Sequence, residues 1–398
     1  MKLNGSDIIA EVLIEQGVDT IFGYPGGAVL NIYDALYKYR DKIHHILTAH
    51  EQGASHAADG YARATGKTGV VIATSGPGAT NLVTGIATAY MDSIPMVAIT
   101  GNVGTSYIGK DAFQEVYITG ITMPITKHNF FVSDIKELAP TLREAFKIAN
   151  SGRKGPVLVD IPKDVTAAIT EYEKAAPEVI IDNTVINEDE VKKAAALINK
   201  AKRPVIEIGG GVVSSEASDL VRMLVNKTGA PCCHTLMAAG VLGYSEKLNY
   251  GLVGMHGSFV TNKAIDEADV LVAIGTRFSD RVALNTNRFA HKAKVIQIDI
   301  DLSEIDKNVK VDHALVGDVK TIVMDLLHYV KQSDRTDWLK TLDEYKKSDY
   351  HPVDSDKFIT PHQLIRAICE NVPKDTVYVT DVGQHQMWAA QYLEHTDP

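Results

Sequence analysis

The sequence predicts an α/β protein: two successive open parallel α/β domains, followed by the start of a third. Three observations predict this fold class. Short apolar segments of strand length alternate with longer segments of helical periodicity. Glycine-rich turns follow several of the apolar segments. The chain of 398 residues is also longer than most single domains.

The first domain is predicted over residues 1–166. Strands are expected at 20–23, 43–47, around Val70, and at 96–100 and 156–162, with helices at 6–16, from about Ala79 and at 138–150. The uncharged stretch 68–91 is long enough for a membrane span, but a Ser-Gly-Pro-Gly turn at 75–78 interrupts it. We therefore predict a buried strand, a tight turn and a buried helix, as in parallel sheets covered on both faces.

The rest of the chain divides by composition. Residues 167–187 predict a linker, and residues 188–325 predict a second α/β domain with strands at 204–208, 270–274 and 295–299. Residues 326–358 are charged and helical and predict a connector. Residues 359–398 predict the incomplete start of a third domain, with a strand at 376–381. One strand and one helix are too little to bury a core of their own.

Composition excludes several classes of protein. The net charge is −10 and no basic block stands out, which argues against a nucleic-acid partner. Cys232, Cys233 and Cys369 form no Cys-x-x-Cys pair, so neither a disulfide framework nor a cysteine metal site is indicated. Asp7 and Glu11 stand where a signal peptide needs an apolar run. We expect a cytoplasmic protein with no membrane partner.

One carboxylate, Glu51, stands where an apolar strand gives way to a helix of small residues. Alanines and glycines along that helix let another helix approach closely, which would exclude water from around Glu51. A carboxyl group in such a place can exchange a proton with a nitrogen base. Taken alone, an acid in the first turn of a helix more often responds to the helix dipole. The flanking motifs therefore decide its meaning.

Three glycine-rich turns follow predicted strands. Those at 24–28 (Tyr-Pro-Gly-Gly-Ala) and 75–81 (Ser-Gly-Pro-Gly-Ala-Thr-Asn) either are plain turns or let the backbone approach a flat heterocycle. The third, Gly209-Gly-Gly211, is half of a dinucleotide fingerprint, because Ser214 holds the final glycine position. Residues 231–244 offer no acid for a ribose, so an NAD site is poorly supported.

Residues 48–67 and 70–81, together with the Asp-Ala-Phe-Gln-Glu run at 111–115, resemble the catalytic subunit of the acetolactate synthase (acetohydroxyacid synthase) family of thiamine diphosphate enzymes. The resemblance implies a pyrimidine-binding first domain, in which Glu51 activates the thiamine, and an FAD-binding central domain. It implies catalytic roles for Glu51, Phe113, Gln114, Lys163 and Arg281. It implies a thiamine cleft lined by Tyr24, Pro25, Gly26, Gly27, Thr74, Pro77, Gly78 and Asn81.

The resemblance also implies residues for the other cofactors. Arg277 and Arg281 have a simpler interpretation as a surface salt-bridge pair. The implied FAD contacts are Arg153, Gly210, Gly211, Thr235, Leu236, Gly254, Met255, His256, Gly275, Arg277, Asp280, Val282, Asp299, Ile300, Gly317, Asp318 and Val319, and the implied diphosphate contacts are Gln384 and His385. No Gly-Asp-Gly and no Asn-Asn occurs in the sequence, so the implied Mg²⁺ ligands would lie beyond Pro398 of a C-terminally truncated chain.

The family reaction implies decarboxylation of pyruvate and ligation to a second pyruvate or to 2-oxobutyrate, toward valine, leucine and isoleucine. It implies a homodimer or tetramer, with or without a regulatory small subunit. Two alternatives stay open. A sister thiamine enzyme, such as pyruvate oxidase or glyoxylate carboligase, would share the first motif, although the latter lacks the glutamate. As the second alternative, these 398 residues form a non-catalytic FAD-binding fragment, inactive without the Mg²⁺ and diphosphate site.

Overall fold

The structure is a computed structural model that describes residues 1–180, 184–185 and 187–398. The chain divides into two compact units, Met1–Ile181 and Asp182–Pro398. Each unit contains a six-stranded sheet in which all neighbouring strands are parallel. The predicted α/β class with parallel sheets is confirmed.

The sheet of the first unit has the order β3-β2-β4-β5-β7-β6. Two further short strands, β1 and β8, pair antiparallel with each other. The strands are β1 Lys2–Asn4, β2 Thr20–Gly23, β3 His44–Leu47, β4 Gly69–Ala73, β5 Met96–Asn102, β6 His128–Phe131, β7 Pro156–Pro162 and β8 Ile169–Glu171. All residues of β4, β5 and β7 are buried, as expected for central parallel strands covered on both faces.

The helices of the first unit are α1 Gly5–Glu15, α2 Leu30–Lys38, α3 Glu51–Thr65, α4 Pro77–Asn81, α5 Val83–Asp92, α6 Ile118–Thr122, α7 Ile135–Asn150 and α8 Lys163–Ala167, with 3₁₀ turns at Thr105–Tyr107 and Met123–Ile125. One apolar cluster includes residues of α1, α2 and α7, and a second includes residues of α3 and α5. A Cβ placed on Gly85 would lie 2.1 Å from Ser55 Oγ. The small residues of α3 and α5 therefore permit the close helix packing expected around Glu51.

The sheet of the second unit has the order β11-β10-β9-β12-β13-β14. Its strands are β9 Pro204–Ile208, β10 Cys232–His234, β11 Asn249–Leu252, β12 Val270–Ile274, β13 Lys294–Asp299 and β14 His313–Val316. Its helices are α9 Glu188–Lys200, α10 Gly210–Ser214, α11 Ser218–Thr228, α12 Phe259–Glu267, α13 Val319–Tyr329, α14 Thr336–Lys346, α15 Pro361–Asn371 and α16 Gln384–Tyr392, with 3₁₀ turns at Leu236–Ala238 and Leu302–Glu304. Two apolar clusters again belong to this sheet.

Both sheets reverse their strand order at one point. In the first unit the chain builds outward from β2 to β3, and then from β4 through β5 in the opposite direction. In the second unit the reversal lies between β9 and β12. Ligands of open α/β sheets bind at such points, in the crevice beyond the carboxyl ends of the strands. The fold therefore gives one candidate crevice in each unit.

The structure adds detail to the predicted linker and connector, and one predicted strand was wrong. The predicted linker contains β8, which pairs with the first residues of the chain. Trp338 and Leu342 of the predicted connector are buried in the second unit, because α14 covers part of its sheet. The predicted strand at 376–381 is not formed. Val377 and Val379 are exposed, and within the described residues this segment has no neighbouring strand to pair with.

The uncharged stretch 68–91 forms β4, a turn and the helices α4 and α5, as predicted. None of the helices in the described ranges combines the length and apolar character that crossing a bilayer demands.

Candidate functional site

The first crevice lies where β2 and β4 end side by side. The turn at 24–27 follows β2, and the turn at 74–78 follows β4. Glu51 begins α3, which follows β3, the other neighbour of β2. Because the carboxyl ends of parallel strands meet at one edge, these three segments come together there.

Glu51 is held in this crevice by its position at the start of α3. Its side chain is only 9% exposed. Asn81 Nδ2 donates a hydrogen bond to Glu51 Oε2 at 3.0 Å. The other oxygen, Oε1, has no hydrogen bond within the described part of the chain and lies 3.2 Å from where a Cβ on Gly78 would be. Glu51 is thus buried and oriented, with one oxygen facing the second glycine turn.

Thr74 joins the two glycine turns. Its Oγ1 accepts a hydrogen bond from the Ala28 backbone amide at 3.1 Å. A Cβ on Gly26 would lie 2.4 Å from Thr74 Cγ2, and a Cβ on Gly78 would lie 2.7 Å from the same atom. Glycine is required at both positions because the Thr74 side chain approaches so closely, whereas Gly27 has open space around it. The predicted cleft residues Tyr24, Pro25, Gly26, Gly27, Thr74, Pro77, Gly78 and Asn81 all lie in these two turns or just after them.

The loop after β5 brings Gln114 to the same edge. A Cβ on Gly76 would lie 2.7 Å from the Gln114 carbonyl oxygen. Gln114 has a φ of +60°, a backbone conformation that residues other than glycine seldom adopt. The adjacent Phe113 is 87% exposed, so an aromatic ring stands free beside the crevice.

The end of β7 anchors the start of this loop. The Thr105 backbone amide donates to Asp164 Oδ1 at 2.9 Å, and its hydroxyl donates to Asp164 Oδ2 at 2.5 Å. The preceding residue, Lys163, is exposed and begins α8 at the carboxyl edge of the sheet. The structure therefore brings Lys163 to the edge that carries the crevice.

A buried acid, Asp160, lies beneath the same loop. Thr100 Oγ1 donates to Asp160 Oδ1 at 2.7 Å, and Asn102 Nδ2 donates to Oδ2 at 2.5 Å. Asn102 Oδ1 in turn accepts from the Val103 amide at 2.7 Å, where the loop leaves β5. Burial raises the pKa of Asp160 to about 7, against the opposing effect of the two hydrogen bonds. Asp160 thus joins the ends of β5 and β7 from inside the sheet.

The second crevice lies where β9 and β12 end side by side, and here two backbones touch. A Cβ on Gly211 would lie 2.7 Å from Gly275 Cα, and one on Gly275 would lie 2.6 Å from Gly211 Cα. The Gly211 amide donates to the Gly275 carbonyl at 3.0 Å. Gly210 and Gly211 occupy the first turn of α10, directly after β9. This crevice suits a ligand that the backbone contacts directly.

Further predicted contacts surround this crevice. The loop after β11 reaches the loop after β12, since the Met255 amide donates to the Arg281 carbonyl at 2.7 Å and Arg281 Nη1 lies 3.6 Å from Met255 Sδ. Asp280 and Arg281 are exposed, and Asp280 Oδ2 lies 3.8 Å from Arg281 Nε. The Gly317 amide donates to the Asp299 carbonyl at 2.9 Å. The carboxyl edge of the sheet carries Thr235, Leu236, Gly254, His256, Arg277, Val282, Ile300, Asp318 and Val319 on the loops that follow its strands.

The remaining predicted residues lie elsewhere. Arg153 follows α7 in the first unit, where its Nε donates to Ser93 Oγ at 2.9 Å. Gln384 and His385 begin α16 and are exposed, and within the described chain neither side chain makes a hydrogen bond. No group of three or more His, Cys, Asp or Glu side chains in the described ranges is arranged to hold a metal ion. The predicted roles of Arg153, Gln384 and His385 stay predictions.

Sequence reasoning missed Asp160, Glu207, Thr276 and Gln297. Glu207 is completely buried on β9, and Thr276 Oγ1 donates to its Oε1 at 2.9 Å. Burial raises the pKa of Glu207 to about 7, while the Thr276 hydrogen bond opposes the rise. A signal was available for two of them: Asp160 and Glu207 each interrupt an otherwise apolar strand.

Two family models match the chain. The model of the thiamine pyrophosphate enzyme N-terminal TPP binding domain matches residues 3–121. The model of the thiamine pyrophosphate enzyme central domain matches residues 191–326. The first match covers the crevice with Glu51, and the second covers the crevice with Gly211 and Gly275.

Similar curated proteins carry one name. The "Acetolactate synthase" of Mycobacterium leprae is 48% identical over 410 residues, which cover all of this chain and 65% of that protein. The "Probable acetolactate synthase large subunit" of Methanocaldococcus jannaschii is 47% identical, covering all of this chain and 69% of that protein. The "Acetolactate synthase large subunit" of Lactococcus lactis subsp. lactis is 44% identical, covering 98% of this chain and 69% of that protein. The chain spans about two thirds of the length of these relatives.

Proposed function

The chain belongs to the acetolactate synthase large-subunit family of thiamine pyrophosphate enzymes, and on that premise we propose that it acts as an acetolactate synthase. The proposed reaction decarboxylates pyruvate and joins the remaining two-carbon unit to a second 2-oxo acid. Pyruvate or 2-oxobutyrate is the proposed acceptor. The observation that carries the proposal is the buried Glu51, oriented by Asn81 between two glycine turns.

The residues of the first crevice fit a thiamine pyrimidine. Any side chain at Gly26 or Gly78 would collide with Thr74, so backbone and small atoms form the walls. Glu51 Oε1 is the carboxylate oxygen left available to a ligand. When bound, thiamine diphosphate supplies a carbon nucleophile and an electron sink for decarboxylation of a 2-oxo acid.

In this proposal Glu51 holds and moves a proton. Its Oε1 would hydrogen-bond a ring nitrogen of the pyrimidine and share a proton with it. Asn81 fixes Oε2, so the free oxygen keeps one direction. The packing of α3 against α5 excludes water, which strengthens the interaction between the carboxyl group and its partner.

Three of the proposed substrate groups belong to the first unit, on segments that follow β5 and β7, and Arg281 belongs to the second unit. Phe113 offers an exposed ring to an acyl chain, and Gln114 is fixed beside Gly76. Lys163 offers a cation to a substrate carboxylate at the end of β7. Arg281 is a second candidate for a carboxylate, with Met255 beside it. These assignments follow the family resemblance and stay proposals.

FAD is the proposed ligand of the second crevice. The touching backbones of Gly211 and Gly275 support this proposal, because no side chain keeps a ligand away from the backbone there. The family resemblance adds Mg²⁺, a homodimer or tetramer, a regulatory small subunit and a cytoplasmic location to the proposal. The described residues offer no cluster of metal ligands, so no step of the proposed mechanism is assigned to Mg²⁺.

The test is acetolactate formation from pyruvate by the protein as its gene encodes it, supplied with thiamine diphosphate, Mg²⁺ and FAD. We expect product without oxygen consumption, and a loss of about 100-fold or more in Glu51→Gln, the usual range for an essential proton-transfer group. Glu137→Gln is the matched control, because Glu137 also lies in the first turn of a helix but is exposed.

Near-normal turnover by Glu51→Gln with intact FAD binding would contradict the assigned role. Oxygen uptake coupled to pyruvate consumption would instead support the sister pyruvate oxidase activity.

A further inference from the structure

Two polar side chains lie inside the second sheet, directly below its crevice. Glu207 on β9 and Gln297 on β13 both pair with Ala273 on the central strand β12. Residues in register on parallel strands point to the same face, so the two side chains lie on either side of the small Ala273 methyl group. Both are fully buried.

Thr276 connects these two side chains to the glycine turns. Its hydroxyl donates to Glu207 Oε1 at 2.9 Å, and its carbonyl accepts from Gln297 Nε2 at 3.2 Å. Thr276 directly follows Gly275, and its Cα would lie 2.8 Å from a Cβ on Gly209. Thr276, which follows one glycine turn and contacts the other, is therefore held through both its side chain and its backbone.

The arrangement leaves two buried oxygens without a donor. Glu207 Oε2 and Gln297 Oε1 have no hydrogen-bond partner among the described residues. Turning the Gln297 amide over would direct its oxygen at the Thr276 carbonyl, so the amide orientation is set by Thr276. A proton on Glu207 converts Oε2 into a donor and removes the cost of a buried charge. Burial also raises the pKa of Glu207 to about 7.

Among the residues that the structure describes, no charge lies where it could replace this proton. On β10, Cys233 pairs with Glu207 and Cys232 precedes it, and burial raises the pKa of both thiols. All residues of β12 are apolar, and Asp299 lies two residues beyond Gln297 on β13. The helices over this face, α12 and α14, contribute apolar side chains to the cluster. The α12 residues Lys263, Asp266 and Glu267 are partly exposed, and the charged residues of α14, which are Asp337, Lys340, Asp343, Glu344 and Lys346, are not among its buried residues. Within the described chain no cation pairs with Glu207.

We propose that Glu207, Thr276 and Gln297 form a buried clamp, closed by a proton on Glu207, that sets the spacing of the glycine turns at 209–211 and 275 and so positions the bound FAD. Glu207 is a positioning residue in this proposal, since it acts through Thr276. The statement that the clamp positions FAD rests on the proposed assignment of FAD to this crevice. The clamp itself rests only on the contacts within the sheet.

The experiment measures FAD affinity of the purified chain from flavin fluorescence at pH 6.0 and pH 8.5, for the unaltered chain, Glu207→Gln and Glu207→Leu. We expect the unaltered chain to bind FAD at least about 3-fold more weakly at pH 8.5, because the clamp loses its proton. Glu207→Gln keeps an acceptor for Thr276 and a permanent donor, so its affinity should change less than 2-fold between the two pH values. Glu207→Leu should bind about 10-fold or more weakly at both. Glu370→Gln, the same change on an exposed residue of α15, is the control.

An unchanged pH dependence in Glu207→Gln, or full affinity in Glu207→Leu, would overturn the clamp. If the unaltered chain binds no FAD at either pH, the flavin assignment fails, and thermal unfolding of the same variants tests the clamp by itself. In that case the unfolding temperature of the unaltered chain should fall relative to Glu207→Gln as the pH rises from 6.0 to 8.5. Parallel curves would then reject the clamp.

Discussion

The crevice of the first unit contains a glutamate between two glycine turns, whereas that of the second unit is closed by two touching glycine backbones. Both arise from the same reversal of strand order. In the first, Glu51 keeps one oxygen available and can exchange a proton with a ligand. In the second, the nearest walls are backbone atoms, which bind without taking part in proton transfer. The same sheet architecture thus forms a crevice suited to proton transfer in the first unit and a crevice suited only to ligand binding in the second.

Each sheet also buries an acid beneath its crevice, and the two acids differ in their partners. Asp160 accepts from both Thr100 and Asn102, so each of its oxygens has a donor. Within the described ranges, Glu207 accepts from Thr276 alone. Burial raises the pKa of both to about 7. The comparison predicts that both acids make stability depend on pH, through different hydrogen-bond arrangements.

The largest expected effect is the pH dependence that Asp160 gives to the first unit. Its pKa is about 7 in the fold and 3.8 ordinarily, so between pH 4 and 7 the folded chain holds a proton that the unfolded chain has released. Stability therefore falls as the pH rises through this window and levels off above it. Asp160→Asn should remove this slope, which amounts to on the order of 4 kcal/mol. Urea unfolding at pH 4.5, 6 and 8 measures it.

The control for Asp160 is Asp134→Asn. Asp134 caps α7 from an exposed position, and asparagine caps as well as aspartate. Its pH profile should follow that of the unaltered chain. If Asp160→Asn also follows it, the two buried acids are not comparable, and Asp160 is ionised in the fold throughout.

Gly275→Ala tests the touching backbones of the second crevice. Gly275 has a φ of +59°, and an added Cβ would lie 2.6 Å from Gly211 Cα. We expect a loss of about 3 kcal/mol in stability, from strain together with overpacking, and a loss of FAD binding. Gly251→Ala is the matched control, because Gly251 has a φ of +94° with open space around it. It should lose only about 1 kcal/mol and keep FAD. Equal losses in the two variants would show that backbone strain, and not contact, governs this crevice.

The sequence predicted the parts of both crevices that depend on chain-local patterns. Glycine turns after apolar strands, and an acid at the start of a helix, can be recognised because each depends on neighbours in the chain. The fold class followed from the same alternation. The prediction at 376–381 was wrong because a strand depends on a partner, and local apolar character says nothing about one.

The contacts of the two buried acids, Glu207 and Asp160, could not be predicted from the sequence. Glu207 and Gln297 are far apart in the chain and both reach Thr276 only because each pairs with Ala273. Asp160 likewise meets Thr100 and Asn102 through the register of β5 and β7. A polar residue inside an apolar strand is visible, but its partner depends on strand order. The short strands β10, β11 and β14 were missed because three or four residues carry little periodicity.

The smallest expected effect concerns a device that both units share, a partly buried cation at the end of a helix. In the first unit Lys127 Nζ donates to the Ile148 and Ser151 carbonyls at the end of α7, and burial lowers its pKa to about 8. In the second unit Arg335 Nη2 donates to the Ile198 carbonyl of α9 at 3.1 Å. Lys127→Met keeps the apolar stem and removes the donors, so we expect a loss of about 2 kcal/mol in the free energy of unfolding.

Lys136→Met, an exposed change on α7 itself, should leave the stability of the first unit unchanged within about 0.5 kcal/mol. Urea unfolding of both variants at pH 7 measures the difference. Because burial lowers the pKa of Lys127 to about 8, the buried ammonium is costly at pH 7, and the loss in Lys127→Met should grow as the pH rises above 8. Equal stability of the two variants would mean that water satisfies the α7 carbonyls as well as the lysine does. Lys127 would then contribute nothing to the stability of the first unit.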